Sequence, residues 1–161
     1  MPRFASRVHS LDCFSMEMHL PNLAATEALA ARLAAVARPG DCLLLEGPLG
    51  AGKSAFARAF LRALARDAGL EVPSPTFTLV QAYDMPGGMI AWHYDLYRLD
   101  GPEGLLELAW EEARQGLVLV EWPERLGHFA PAPADALRLR LDPLDEEGRR
   151  ATLSGWAGRP W

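Results

Sequence analysis

The stretch GPLGAGKS at residues 47–54 contains the only lysine of the chain, since the other 15 basic residues are all arginines. Its spacing, G-x-x-x-x-G-K-[ST], is the one in which backbone N–H groups surround phosphate oxygens at the start of a helix. Lys53 would bring a compact charge to the β- and γ-phosphates, and the Ser54 hydroxyl can bind Mg²⁺. The motif predicts a nucleotide site rather than a glycine-rich turn with a stray lysine. The candidate nucleotide contacts are Leu49, Gly50, Ala51, Gly52, Lys53, Ser54 and Ala55.

A nucleotide site also needs a group that binds the metal from the other side and orients a water molecule. Glu121 ends the apolar run LVLVE, at the point where an open α/β sheet presents its ligand groups. A carboxylate at the end of a buried strand is costly unless it is paired or bound to a metal. Glu121 is therefore predicted to coordinate the metal or to activate water, the alternative being a surface carboxylate just past the sheet edge.

The segment MIAWHYDLY, residues 89–97, supplies a second carboxylate. Alternation along a strand places His93 and Asp95 on one face and Trp92 and Tyr94 on the other. We predict a catalytic role for Asp95. His93 has a simpler explanation, because a histidine in an aromatic strand is more often a hydrogen-bonded core residue.

Thr76 lies in PSPTFT, residues 73–78, where two prolines stiffen a loop. Such a loop can bring a hydroxyl toward Mg²⁺ and the γ-phosphate in the manner of a GTPase switch, which makes Thr76 a third catalytic candidate. A rigid connector explains the same residues, and both interpretations remain open at this stage.

These side chains can meet in one site only if the strands and helices that carry them are neighbours in the fold. The run CLLLEG and the helical pattern SAFARAFLRALARDAG flank the glycine stretch as strand and helix. GLVLVEWP is a continuous apolar run, typical of a central strand covered on both faces. Before these elements, CFSMEMHL alternates as a half-buried strand, and an alanine- and leucine-rich helix follows with Asn22 as its cap.

Turn signals complete the predicted fold. TFTLVQAY and MIAWHYDLYRL flank DMPGG, and ALRLRLDP and RRATLSGW flank LDEEG, so both pairs are predicted to be antiparallel hairpins. PEGLLELAWEEAR is predicted to be one amphipathic helix with Pro102 near its start. The fold class is α/β: a single three-layer P-loop NTPase domain over residues 1–161, with a mixed, mainly parallel central sheet and antiparallel edge hairpins.

Composition limits the possible partners and the compartment. The chain has 161 residues, 50% of them hydrophobic, and a formal net charge of -5, so it has no basic footprint for binding RNA on its own. The two cysteines, Cys13 and Cys42, are expected to be reduced. No apolar run approaches the roughly 18 residues of a membrane span. We therefore expect a cytoplasmic protein without a membrane anchor.

With these residues identified, the chain resembles the bacterial TsaE family, the small ATPases of tRNA threonylcarbamoyladenosine biosynthesis. The segments that carry the resemblance are GPLGAGKS, SPTFTLV, HYDLYRL and VLVEWPE, in this order. The resemblance implies that residues 74–80 form a switch-like loop and that Ser54 and Glu121 bind Mg²⁺. It also implies nucleotide contacts from Asn22, which a helix cap explains equally well, and from Arg149. The chain departs from the family in having Pro48, Ser54 in place of threonine, and Ala109 where a glycine is common.

The resemblance further implies that the protein binds ATP and Mg²⁺ and acts with the TsaB–TsaD complex, which modifies adenosine 37 of tRNA. ATP hydrolysis would reset that complex between turnovers, with the tRNA held by the partners. A small-molecule P-loop kinase is the first alternative, although no arginine-rich lid stands out after the central helix. A nonenzymatic ATP-sensing module is the second. A GTP switch is disfavoured, because the N-K-x-D element that reads guanine needs another lysine.

Overall fold

The computed structural model describes residues 15–156 and 158–161, and these form seven strands and three α-helices joined by short 3₁₀ segments. The strands are β1 (Ser15–Leu20), β2 (Cys42–Glu46), β3 (Val80–Asp84), β4 (Ile90–Asp95), β5 (Leu117–Glu121), β6 (Ala136–Pro143) and β7 (Arg149–Gly155). The α-helices are α1 (Leu23–Val36), α2 (Lys53–Ala65) and α3 (Trp110–Ala113). The 3₁₀ segments are Pro86–Gly88, Pro102–Leu108, Pro123–Phe129 and Pro133–Asp135.

All seven strands belong to one mixed sheet in the order β1-β7-β6-β2-β5-β4-β3. The four central strands β6, β2, β5 and β4 are parallel to their neighbours in that order. The outer strands β1, β7 and β3 pair antiparallel. The predicted α/β class, with a mainly parallel centre and antiparallel edge hairpins, is confirmed, and β5 is the predicted central strand.

Helices cover both faces of the sheet and form three layers with it. On one face α1 and α2 pack over Leu43 and Leu45 of β2, and the buried Phe56 and Phe60 of α2 belong to this cluster. On the other face, the short segments around α3 enclose a second cluster that includes Tyr94. Because side chains alternate along each strand, the residues of β4 and β5 divide between these two faces.

The predicted helix over PEGLLELAWEEAR is wrong as a single element. It is divided into a 3₁₀ segment and α3 by Ala109, which has a left-handed backbone (φ 57°, ψ 33°). The Tyr94 hydroxyl donates to the Leu108 carbonyl at 2.7 Å, which occupies the acceptor that a continuing helix would use. The break also places the Trp110 ring edge-on to Tyr94, with ring centroids 5.2 Å apart. Tertiary contacts therefore overrode a favourable helical pattern.

The predictions about Cys42 and about membrane spans can be compared with the structure, whereas Cys13 and Phe14 lie outside the described residues. Cys42 is fully buried in β2 as a free thiol, and burial raises its pKa to about 12. The thiol is therefore protonated and unreactive near neutral pH. None of the helices in the described part of the chain has the length and hydropathy needed to cross a membrane.

Arg159 ties the last described residues to the start of β2. Its guanidinium donates two hydrogen bonds to Asp41, at 2.6 and 2.7 Å, and a third to the Val36 carbonyl. It also stacks on Trp156 at 4.4 Å from the ring centroid. We expect Arg159→Ala to lower the free energy of unfolding by about 1.5–3 kcal/mol, as for hydrogen bonds to charged groups with little exposure. Urea unfolding measures this difference.

The matched control is Arg140→Ala, which removes another Arg–Asp pair on the same chain. Arg140 is exposed and Asp142 is half-buried, and ion pairs near the surface contribute about 0–1 kcal/mol. Equal losses in the two variants would contradict the assignment of Arg159 as a stabilising contact.

Candidate functional site

The glycine loop, defined as residues 47–54, connects the carboxyl end of β2 to the first residues of α2. Gly47 has a φ of 140°, and a Cβ there would overlap the carbonyl oxygen of Leu141 on β6. Gly52 precedes α2 with a left-handed backbone (φ 102°) and no side-chain cap. The first N–H groups of α2 therefore point out of the helix end toward the loop, which is the geometry of an anion site. Both glycines are required by the backbone shape of this turn.

Lys53 extends back along the loop and is 5% exposed. Its Nζ donates to the carbonyls of Gly47 at 2.6 Å and Pro48 at 2.8 Å, and lies 4.3 Å from the centroid of the Trp122 ring. Burial lowers the pKa of Lys53, and the negative charge of Glu121 partly offsets this effect. An ammonium has three donors, so two carbonyl contacts leave one N–H for an anion.

Glu121 lies at the end of β5 and contacts residues from two other elements. Its Oε1 accepts a hydrogen bond from Ser54 Oγ at 2.9 Å, and its Oε2 lies 2.7 Å from His93 Nε2. The carboxylate is buried, with Glu121 2% exposed, so it is not a surface carboxylate past the sheet edge. The structure therefore brings the two predicted magnesium ligands, Ser54 and Glu121, into direct contact.

Asp95 is adjacent to Glu121 because β4 and β5 are parallel and these two residues are in register. Asp95 Oδ2 accepts a hydrogen bond from Thr76 Oγ1 at 3.0 Å, and Oδ1 accepts one from the Tyr97 backbone N–H at 3.1 Å. The predicted alternation of β4 is confirmed: Asp95 shares a face with Glu121, whereas Tyr94 belongs to the opposite cluster. All three catalytic candidates therefore lie on the side of the sheet that α2 covers.

The loop that carries Thr76 is held at both of its ends. Thr76 also contacts Ser74 Oγ at 2.8 Å, and the Leu79 N–H donates to the Pro75 carbonyl at 2.7 Å, with Leu79 in a left-handed conformation (φ 67°). The strand β3 begins only at Val80. In this structure the segment is a turn in which the Thr76 hydroxyl donates to Asp95.

Asn22 and Arg149 meet at a recess of about 400 Å³ beside the glycine loop, also lined by Ala51, Gly52 and Ala55. Asn22 caps α1, since its Oδ1 accepts from the Ala25 N–H at 3.0 Å. Arg149 donates to the carbonyls of Ala51 and Gly50 and to three carbonyls of its own hairpin turn. Both residues therefore have observed structural roles, and nucleotide contacts from them remain predictions. Leu49, at the tip of the loop, is 69% exposed.

Comparison with known proteins gives one family. The family model described as threonylcarbamoyl adenosine biosynthesis protein TsaE matches residues 20–151. The chain belongs to the TsaE family. A tRNA threonylcarbamoyladenosine biosynthesis protein TsaE from Rickettsia felis is 40% identical to it over 135 residues, which cover 83% of this chain and 77% of that one. A Bacillus subtilis TsaE is 35% identical over 136 residues, covering 83% and 82%. The crystal structure of YdiB from B. subtilis matches with a TM-score of 0.68 at 30% identity, covering 90% of this chain and 88% of that chain.

TsaE membership places the chain in tRNA processing, in the biosynthesis of threonylcarbamoyladenosine, where it acts with other proteins of that machinery. The match spans most of the sheet, the glycine loop and the carboxylates at the ends of β4 and β5. The site described above therefore belongs to the part of the chain that is shared with the family.

Two residues of this TsaE family member were missed as site residues by sequence reasoning. Trp122 follows Glu121 in a left-handed conformation (φ 60°). Its ring lies over the Lys53 ammonium and contacts the Tyr97 ring, with the two ring centroids 4.8 Å apart. His93 is buried as expected, but its partner is Glu121. The only sequence signal for Trp122 was its position next to the predicted ligand.

Metal binding in this TsaE family member would depend on few protein ligands. In residues 15–156 and 158–161, no three His, Cys, Asp or Glu side chains gather into a metal cage. Mg²⁺ does not need one, since it is usually held by one or two protein ligands together with substrate phosphates and water. Ser54 and Glu121 fit that pattern, because a hydroxyl and a carboxylate are both hard oxygen ligands.

Proposed function

We propose that this chain binds ATP with Mg²⁺ at the glycine loop and hydrolyses it to support threonylcarbamoylation of adenosine 37 in tRNA by the TsaB–TsaD complex. The observation that carries the proposal is the 2.9 Å contact between Ser54 Oγ and Glu121 Oε1 at the start of α2. It joins the last residue of the glycine loop to the carboxylate at the end of the neighbouring strand. Mg²⁺ bound to these oxygens would lie beside the phosphates that the loop holds.

The loop and the recess beside it support nucleotide binding. The N–H groups at the start of α2 and the remaining Lys53 donor can bind phosphate oxygens. The recess of about 400 Å³ at Asn22 and Arg149 has room for a nucleoside next to Ala51 and Gly52. Mg²⁺ held by Ser54 and Glu121 would help to neutralise the charge that develops on the phosphates during transfer.

Asp95 and Thr76 supply the groups for orienting water. The Asp95 carboxylate is 5% exposed and is positioned by Thr76 and the Tyr97 N–H. A carboxylate in this position can accept a hydrogen bond from an attacking water molecule. Asp95 is thus assigned to water orientation and Glu121 to the metal, with Thr76 holding Asp95 in place.

Hydrolysis also requires charge stabilisation on the γ-phosphate beyond Lys53 and Mg²⁺. Arg98 stacks on Phe77, with its Cζ 4.5 Å from the ring centroid, and Arg149 is bound to backbone carbonyls. Arg149 thus contacts the glycine loop only through its backbone carbonyls, and neither arginine has a described hydrogen bond to Ser54, Asp95 or Glu121. Phe77 is 82% exposed on the segment that carries Thr76, so a partner that covers it would order the catalytic groups. These contacts support a partner-dependent ATPase.

A steady-state phosphate-release assay, titrated with the TsaB–TsaD complex, tests the proposal. We expect very slow hydrolysis by the chain alone and an increase of up to about 10³-fold with the complex, the scale that a supplied arginine provides. Phe77→Ala should lose most of this increase. The matched control Leu144→Ala changes another exposed apolar residue, on the β6–β7 turn, and should keep it.

Three outcomes would contradict the proposal in different ways. Brisk turnover alone, unchanged on titration, would indicate a self-sufficient ATPase. Phosphate transferred to a small acceptor instead of water would indicate a kinase. ATP-dependent binding to the complex without phosphate release would indicate a nonenzymatic sensing module.

A further inference from the structure

The two buried carboxylates of the site have all four oxygens in contact with described residues. Asp95 uses Oδ1 and Oδ2 for the Tyr97 N–H and the Thr76 hydroxyl. Glu121 uses Oε1 for the Ser54 hydroxyl and Oε2 for His93. Three of these four partners lie in loops or at a helix start, and His93 alone among them lies inside a strand of the sheet. The Glu121 carboxylate is therefore anchored to the sheet on one side only.

The contact between His93 and Glu121 follows from strand register. His93 on β4 is paired with Leu119 on β5, which lies two residues before Glu121. The His93 side chain is therefore on the same face as Glu121, one alternate position before it. His93 is 1% exposed, and its Nε2 lies 2.7 Å from Glu121 Oε2. Because a carboxylate only accepts hydrogen bonds, Nε2 is the donor. Burial and pairing in the sheet give the imidazole one position from which to donate.

The other ring nitrogen of His93, Nδ1, is buried and has no hydrogen-bond partner among residues 15–156 and 158–161. Among the described residues, the contact with Glu121 is therefore the hydrogen bond that the His93 ring makes.

We propose that His93 is a positioning residue for magnesium: it holds Glu121 Oε2 so that Oε1 stays directed at Ser54 and at the metal position beside it. This inference rests on the proposed function, because it concerns the Mg²⁺ of that same site. Without the donor, the carboxylate is held only by the Ser54 hydroxyl at Oε1, and it can rotate more easily about its last side-chain bond. In metalloproteins, residues that hydrogen-bond to a metal ligand and orient it typically contribute about 10–100-fold to metal affinity.

The test is the Mg²⁺ dependence of nucleotide binding, measured by calorimetry with a non-hydrolysable ATP analogue across a series of Mg²⁺ concentrations. For His93→Leu, we expect the Mg²⁺ concentration at half-maximal tightening to rise by about 10–100-fold. Binding in EDTA should stay as in the unmodified chain, because the glycine loop is unchanged. His93→Gln retains an N–H at comparable reach and should restore most of the Mg²⁺ response. His93→Asn is too short to reach Glu121 and should behave like His93→Leu, which gives a second test if the leucine variant does not fold.

Tyr94→Phe is the matched control for damage to the sheet. It removes a buried 2.7 Å hydrogen bond from the same strand, but on the opposite face and to the Leu108 carbonyl. It should leave the Mg²⁺ response unchanged. The inference is overturned if His93→Leu and Tyr94→Phe respond alike, or if His93→Leu weakens binding equally in EDTA and in Mg²⁺. If the unmodified chain itself shows no Mg²⁺-dependent nucleotide binding, the proposed function fails instead, so the two failures are distinguishable.

Discussion

Lys53→Ala and Lys53→Arg are expected to lose most of the ATP affinity of this chain while remaining folded. The ammonium is held between two loop carbonyls, at 2.6 and 2.8 Å, and beneath the Trp122 ring. A guanidinium is planar and larger, so it cannot occupy this space and also direct a donor at phosphate. A lost hydrogen bond to a charged group costs about 1.5–3 kcal/mol, which corresponds to roughly 10–150-fold in affinity. Calorimetric titration with ATP and Mg²⁺ measures the loss.

The control for Lys53 is Ser54→Thr, which changes the neighbouring position of the same motif but keeps the hydroxyl. It should bind ATP within about threefold of the unmodified chain, since the oxygen ligand for Mg²⁺ is retained. Thermal unfolding without nucleotide checks that each variant folds. If Lys53→Arg bound ATP as well as the unmodified chain, the assignment of the only lysine to phosphate would be wrong.

Glu121→Gln and Asp95→Asn are expected to reduce hydrolysis, measured with the TsaB–TsaD complex, by at least about 100-fold. Nucleotide affinity should fall much less, because the phosphate contacts come mainly from the glycine loop. Both substitutions keep the side-chain shape, so the contacts to Ser54 and Thr76 can still form at one atom. Glu121→Gln should in addition raise the Mg²⁺ requirement, since a neutral amide is a weaker metal ligand than a carboxylate.

Glu124→Gln is the matched control for these two variants. Glu124 is an exposed carboxylate three residues after Glu121, and it makes no described hydrogen bond to Ser54, Thr76 or the glycine loop. Its charge raises the pKa of Lys53 less than the charges of Glu121 and Asp95 do. It should hydrolyse ATP at the unmodified rate. Full activity in both Glu121→Gln and Asp95→Asn would refute their assignment to metal and water.

The parts of this site that sequence could predict are those that depend on local pattern. The spacing of the glycine loop gave the position of Lys53 at the start of a helix, and alternation along β4 placed Asp95 on the face opposite Tyr94. The contact of His93 with Glu121 depends on how β4 is aligned with β5, which no local pattern encodes. The same holds for the break at Ala109, since the hydroxyl that occupies the Leu108 carbonyl comes from a strand 14 residues earlier.

Trp122 illustrates a different limit. Its position over Lys53 requires a left-handed backbone at a bulky residue, which is unfavourable in isolation and which sequence patterns do not favour. Only the assembled contacts, with Lys53 on one side and Tyr97 on the other, account for it. Residues in such conformations often occur at functional sites, where the surroundings hold them in place.

The hydrogen bonds between Arg149 and the glycine loop affect when the loop can take its final shape during synthesis of the chain. The Arg149 guanidinium binds the Ala51 carbonyl across 98 positions of the chain, and β2 lies between β5 and β6 in the sheet. A ribosome therefore delivers the loop long before the strands and the arginine that fix its shape. Until β5 and β6 emerge, β2 is an unpaired apolar strand, and until residue 149 emerges the loop lacks the Arg149 contact. Nascent chains that end before β5 should expose β2 to chaperones, and those that end before residue 149 should bind ATP poorly, so nucleotide binding reports that the Arg149 contact has formed.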